Sequence, residues 1–120
     1  ANDSNSKRTA RTGDELLRVF EALSNPHRLK IVAVLAQERK YVSQLAREVK
    51  MSRPLLYMHL QKMEEAGLVT SSLELSEDGK AMKFYAIAPF DFRITPDVIT
   101  EAVATLTVTK KSNTLEEDSQ

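Results

Sequence analysis

The chain has 120 residues, 42% of them apolar, with no cysteine and 17 basic side chains balancing 17 acidic ones. That length makes one domain around a single core. The missing cysteine excludes disulfides and thiolate metal sites, and no run approaches the roughly 18 apolar residues of a membrane span, so a cytoplasmic address away from membranes is expected.

The neutral total hides an uneven distribution. Residues 25–66 carry eight Lys and Arg against four Asp and Glu, whereas residues 67–120 carry five against nine. Attraction for phosphate follows the local patch rather than the sum, although basic residues that only solvate helix faces would give the same count. A polar, aperiodic stretch over 1–12 reads as a disordered arm, in which Lys7, Arg8 and Arg11 suit either phosphate contact or solubility.

Thr12 with Glu15 three residues on is a capping-box pattern. Leu16, Leu17, Phe20 and Leu23 then recur at helical spacing, with Val19 besides, which predicts a first helix over 13–24. Its apolar content exceeds what one face of a small domain needs, so part of it is expected to meet a partner. Asn25-Pro26 restarts the chain with an N-cap and a proline in the first turn. The second helix is expected to reach about Glu38 as the central core helix, using Leu29, Ile31, Val32, Val34 and Leu35. Arg39 and Lys40 mark an exposed break. Ser43 is expected to cap a short helix over 44–50, with Leu45, Ala46 and Val49 inward.

The next stretch, MSRPLLYMHLQKMEEAGLV over 51–69, has the clearest start, stripe and stop. Ser52 is placed to accept an orphan N–H, and Pro54 lies in the first turn, where a missing N–H costs nothing. Leu56, Leu60 and Met63 make one buried face, and Gly67 supplies the left-handed stop. The remaining face holds Arg53, Tyr57, Met58, Gln61 and Lys62, beside Ser52 and Pro54. Donors, an aromatic ring and apolar atoms together suit base edges and adjacent phosphates. A short helix, a tight turn and a longer helix form the helix-turn-helix pattern, and residues 52–66 are its recognition helix.

Residues 68–75 and 81–88 read as strands joined through Asp78-Gly79, a hairpin turn signal. A hairpin directly after a recognition helix is a wing. Its Lys80 and Lys83 are placed to reach a DNA backbone, but Glu74, Glu77 and Asp78 oppose them. Pro89 ends the hairpin. Pro96 opens a last helix to about 109, with Val98, Ile99, Ala102, Val103 and Leu106 as its stripe, and 110–120 reads as a disordered tail.

Three stretches together resemble the ArsR/SmtB family of winged-helix transcription repressors. ALSNPHRLKIVAVL (22–35) is similar to the family's opening signature, with Arg28 on the signature arginine. VSQLAREV (42–49) resembles its first helix-turn-helix segment. The recognition stretch resembles a Ser-x₆-His-Leu-x₂-Leu-x₃-Gly-Leu-Val pattern, with Ser52, His59, Leu60, Met63 and Gly67 in register. The resemblance spans about residues 15–90. It implies a mostly α fold with a β-hairpin wing, in the order α-α-α-α-β-β-α over 13–109. It also implies a homodimer whose first and last helices supply Leu16, Leu17, Phe20, Val98, Ile99, Val103 and Leu106 to the interface. A two-fold dimer would read an inverted repeat in double-stranded DNA.

The family's sensing chemistry does not carry over. Many members place two cysteines where this chain has Tyr41 and Ser43. Asp97 and Glu101 lie four apart on the last helix without a histidine, a poor soft-metal set. No metal, no cofactor and no particular effector is expected.

Among the candidates, Arg53 fits a bidentate contact to guanine or a phosphate contact. Tyr57 fits a thymine methyl or sugar, or covers the turn. Gln61 and Lys62 fit phosphates, and Arg28 joins the DNA-contact set. His59 suits a structural hydrogen bond, and His27 is expected on the surface. Enzyme chemistry is not supported, since there is no phosphate-cradling glycine loop, His-Glu-x-x-His pair or cysteine nucleophile. The rival reading is a winged helix that docks another protein. Its affinity would be nearly indifferent to salt, whereas DNA binding would fall steeply.

Overall fold

The computed structural model describes residues 11–107, so Lys7 and Arg8 of the expected arm and the expected tail over 110–120 lie outside the described residues. Among the described residues the order is α1 (Gly13–Leu23), α2 (Pro26–Leu35), β1 (Lys40–Tyr41), α3 (Val42–Val49), α4 (Arg53–Glu65), β2 (Val69–Leu75), β3 (Ala81–Ile87) and α5 (Pro96–Val103). This is the expected winged helix-turn-helix order with one short strand added.

The helices begin where local chemistry supplies acceptors for their orphan amides. The Thr12 hydroxyl accepts from the Glu15 N–H at 3.1 Å, and the Glu15 carboxylate accepts from the Thr12 N–H at 2.9 Å. That backbone bond holds the Glu15 carboxyl below its ordinary value. Asn25 Oδ1 accepts from the His27 N–H at 2.9 Å, Ser52 from Leu55 at 3.4 Å, and Thr95 from Val98 at 3.1 Å. Helix α4 ends in a Schellman motif: Leu68 N–H donates to Met63 O and Gly67 N–H to Glu64 O, with Gly67 at φ +79°.

Three boundaries differ from the expectation. Helix α2 stops at Leu35, not near Glu38, because Lys40 and Tyr41 are drawn into a strand opposite Tyr85 and Phe84. Helix α3 starts at Val42, with Tyr41 at the cap and its N–H donating to Gln44 Oε1 at 3.3 Å; Ser43 lies inside the helix and does not cap it. Helix α5 ends at Val103, short of the 109 expected. Beyond it the Ala104, Thr105 and Leu106 N–H groups donate to carbonyls three residues back in tighter turns, while the Thr105 hydroxyl accepts from Gly13 N–H at 2.6 Å and Thr107 N–H donates to Asp14 at 3.0 Å.

The described chain forms two compact units. In residues 11–18 with 91–107, Leu16 and Ala102 are buried. Here Gly13 permits a close approach, since a Cβ there would run into the Ala102 carbonyl oxygen and come within 2.8 Å of Leu106. The unit Val19–Phe90 has its own core of Ile31, Leu45, Leu56, Leu60, Met63 and Leu68, none more than 1% exposed. Each such side chain contributes about 1.5–3 kcal/mol of transfer free energy. Leu29, expected inside, is 54% exposed. The sheet is antiparallel in the order β1-β3-β2, with β2 and β3 in register from Val69↔Ile87 to Leu75↔Ala81. Ser76 N–H donates to Lys80 O, and Gly79 at φ +84° closes the loop Glu77-Asp78-Gly79, the left-handed position of a three-residue hairpin connection.

Candidate nucleic-acid interface

Helix α4 divides cleanly into two sides. Leu56, His59, Leu60 and Met63 are buried, while Arg53, Pro54, Tyr57, Met58, Gln61 and Lys62 are exposed. At about 100° per residue these sets fall on opposite halves of the helix. Tyr57 and Met58 expose 41% and 61% of their surface. Leu55 is 39% exposed beside them. It sits at the edge of the buried stripe, where periodicity does not decide. Ser52 caps the helix from an exposed position. Gln61 Nε2 donates to Glu65 at 3.3 Å, one turn on.

The wing is tied to α4 at its base, where the Ser71 hydroxyl donates to Glu64 Oε2 at 2.9 Å. Lys80 and Lys83 are exposed on the hairpin, with the Lys83 ammonium 5.5 Å from the centre of the Tyr85 ring. Two of the three acids that oppose them are already engaged. Glu74 pairs with Arg39, and its carboxyl is held low by that hydrogen bond. Asp78 accepts from the Ser76 hydroxyl, which holds its carboxyl low as well. Behind the helix-turn-helix, Lys40 pairs with Glu48 at 2.8 Å and Glu38 at 3.2 Å.

Arg28, expected among the DNA contacts, also bonds within the chain. It is only half exposed, its Nε donates to His59 Nδ1 at 3.0 Å, and one Nη donates to the Glu21 carbonyl at 3.2 Å. Two of its five donors therefore tie α2 to α4 and to α1. The bond makes His59 Nδ1 an acceptor, so the ring proton sits on Nε2. Burial first, then the Arg28 charge and His27, lower the His59 pKa from 6.5. A histidine 8% exposed and so bonded is a structural acceptor.

The residues expected at a dimer interface also separate. Phe20, Ile99 and Val103 expose 37%, 41% and 53% of their surface. Leu17, Val98 and Leu106 are half-buried. Leu16, at 6%, is spent inside the chain. Asp97 and Glu101 are exposed on α5, and among the described residues no three His, Asp or Glu side chains come together as a metal site. No helix among the described residues is long and apolar enough to cross a membrane.

This geometry agrees with what the chain is similar to. The model of the arsR family of bacterial regulatory proteins matches residues 25–71. An uncharacterised helix-turn-helix-type transcriptional regulator from Methanocaldococcus jannaschii is 41% identical over 85 residues, covering 71% of this chain and 88% of that protein. The solved homodimeric winged helix-turn-helix DNA-binding domain from Mycobacterium bovis is 27% identical with a TM-score of 0.57, covering 82% of both chains. The transcriptional repressor BigR from Xylella fastidiosa, at 20% identity, shares the fold with a TM-score of 0.53 over 90% of this chain and 95% of its own. The chain belongs to the arsR family of winged-helix transcriptional regulators, and is a regulator rather than an enzyme.

Proposed function

We propose that the protein works as a homodimer that reads an inverted repeat in double-stranded DNA through α4 and represses transcription at that site. The observation that carries this reading is the division of α4 into a buried apolar half and an exposed half of donors, an aromatic ring and apolar atoms. Arg53, in the first turn, contacts a guanine edge. Tyr57 and Met58 pack on a thymine methyl and sugar. Ser52, Pro54, Gln61 and Lys62 line the neighbouring backbone, and Lys80 and Lys83 add phosphate contacts from the wing. Arg28 orients α4 through His59 and makes no base contact.

The dimer reading is supported by the exposed apolar side chains of Ile99 and Val103 on α5, by the half-buried Leu17, Val98 and Leu106 of the same unit, and separately by the exposed Phe20 of the other unit. The relative from Mycobacterium bovis is described as homodimeric. Repression is assigned by analogy with the winged-helix repressors that the chain resembles. The proposed regulator works without a thiolate metal sensor site, in keeping with a sequence that holds no cysteine.

The test is selection from a random duplex library at near-physiological salt. The expected product is an inverted repeat with half-sites about 34 Å apart. No enrichment by the folded protein overturns the reading and favours a protein partner. In the selected duplex, Arg53→Ala is expected to cost about 1–3 kcal/mol and to relax preference at one base position. A loss that is uniform across sequences would reassign Arg53 to phosphate.

A further inference from the structure

The wing reaches well beyond its support. On the side that meets α4, the last anchored pair is Ser71↔Tyr85. Past it, Leu73 and Leu75 are 71% and 76% exposed, opposite the exposed Lys83 and Ala81. From Phe84 to Lys80 is four residues, or roughly 13 Å of strand at ~3.3 Å each. A hairpin projecting that far would swing about its base unless its other side were braced.

That other side carries Arg39. The residue immediately precedes β1, whose Lys40 and Tyr41 are bonded opposite Tyr85 and Phe84, so its backbone is fixed against β3. Its guanidinium carbon lies 4.2 Å from the centre of the Phe84 ring. Both Nη atoms engage the Glu74 carboxylate, Nη2 at 3.2 Å. Tyr41 meets Phe84 edge-on, with ring centres 5.5 Å apart. One planar group therefore grips both strands of the hairpin, by stacking on β3 and by a two-pronged bond to β2. Lysine, a point charge, would not reproduce that pair of contacts.

We propose that Arg39 is a positioning residue for the wing, holding the hairpin at the angle to α4 from which Lys80 and Lys83 reach the DNA backbone. The DNA part of this inference rests on the reading under Proposed function; the bracing of the hairpin does not. A simpler role is charge masking, in which Arg39 only cancels Glu74 so that it does not repel phosphate. Glu74→Gln separates the two. It removes the acid and the strong pairing together, so masking expects binding to the selected duplex to stay the same or tighten. Positioning expects it to weaken about 3–10-fold, with the log–log salt slope smaller by about one to two because one or two phosphate contacts are lost. Arg39→Lys is expected to behave like Glu74→Gln. Adding Lys80→Ala and Lys83→Ala to Glu74→Gln is expected to cost little more, whereas the same pair weakens the otherwise unaltered protein.

A measurement without DNA tests the brace itself. Nitrogen-15 relaxation of the full chain is expected to show lower order parameters for the Gly79–Met82 amides in Glu74→Gln, with α4 unchanged. Unchanged hairpin order, or unchanged or tighter DNA affinity with additive lysine effects, overturns the inference. If the unaltered protein selects no duplex but the hairpin still loosens, the brace stands and the DNA reading falls.

Discussion

His59 is a buried polar side chain on a helix otherwise divided between apolar core and exposed surface, and its environment makes a pH prediction. Neutral, it accepts from Arg28 Nε at 3.0 Å. Protonated, it loses that acceptor and sets a cation against a guanidinium, with the His27 ring centre 5.7 Å away. Burial first, then the Arg28 charge and His27, depress its pKa below 6.5 in the folded chain. Between the folded and unfolded values the unfolded chain binds more protons, so stability rises with pH in that window. The contribution is complete above about pH 6.5 and is lost as pH falls through the folded value, at no more than about 1.4 kcal/mol per pH unit. Urea unfolding at steps from pH 7.5 to 5.0 should show this decline before the carboxylates titrate. His59→Asn keeps an acceptor near the Nδ1 position without a titrating ring, and should flatten the decline despite lower stability at pH 7.5. His27→Gln removes only the smallest of the three causes and should leave most of the decline in place. A slope that His59→Asn does not change would assign the decline elsewhere.

Individual side chains act here mainly by fixing the ends and angles of elements, and one end is built against its residue type. Lys50, in the turn between α3 and α4, has φ +58° and ψ +54°, the left-handed region. A side chain there costs about 1–2 kcal/mol relative to the right-handed form, which glycine does not incur. Lys50→Gly is therefore expected to raise stability by ~0.5–1 kcal/mol, after glycine's greater freedom in the unfolded chain is subtracted. Lys50→Val should lower it by a similar amount, and thermal unfolding followed by circular dichroism reads both. Nothing in the sequence announced this conformation, because the usual glycine signal is absent.

The same distinction explains which parts of the fold were legible. Three helix starts were, because Thr12 with Glu15, Asn25 with Pro26, and Ser52 with Pro54 carry their cap chemistry within four residues; the start of α3 was not, since Ser43 lies inside the helix that Tyr41 opens. The α4 stop was legible from Gly67, and the hairpin from Asp78-Gly79. Strand β1 was not, since two residues become a strand only through Tyr85 and Phe84 more than 40 positions away. The bonds that Thr105 and Thr107 make beyond α5 depend likewise on Gly13 and Asp14. At the candidate site, the outward face of α4 followed from period alone. The fates of Arg28, bound to His59, and Arg39, bound to Glu74, depend on partners 31 and 35 residues away, which periodicity cannot reach.

For the whole molecule, the decisive quantity is how many copies bind together. Under the proposed function, a lone α4 offers one set of major-groove contacts. Joining two converts the second into an intramolecular step at an effective concentration in the millimolar range, which adds about 10²–10⁴-fold to affinity. The variant that tests this must break an interface without harming the chain. Leu16 is unsuitable, because at 6% exposure an aspartate there would be a buried unpaired charge. Val103 is suitable: it is 53% exposed, and surface substitutions of that kind usually shift stability by no more than about 0.5 kcal/mol. Val103→Asp, alone or with Ile99→Asp, is expected to move the protein's mass in sedimentation equilibrium from dimer to monomer, with unfolding still cooperative and its midpoint lowered only by the lost association and no longer dependent on concentration. Affinity for the inverted repeat should fall by about 10²–10⁴-fold, while affinity for an isolated half-site stays the same. If the double variant remains dimeric, the interface lies outside α5. If it becomes monomeric yet still prefers the full repeat to the half-site, recognition does not depend on two-fold pairing of α4.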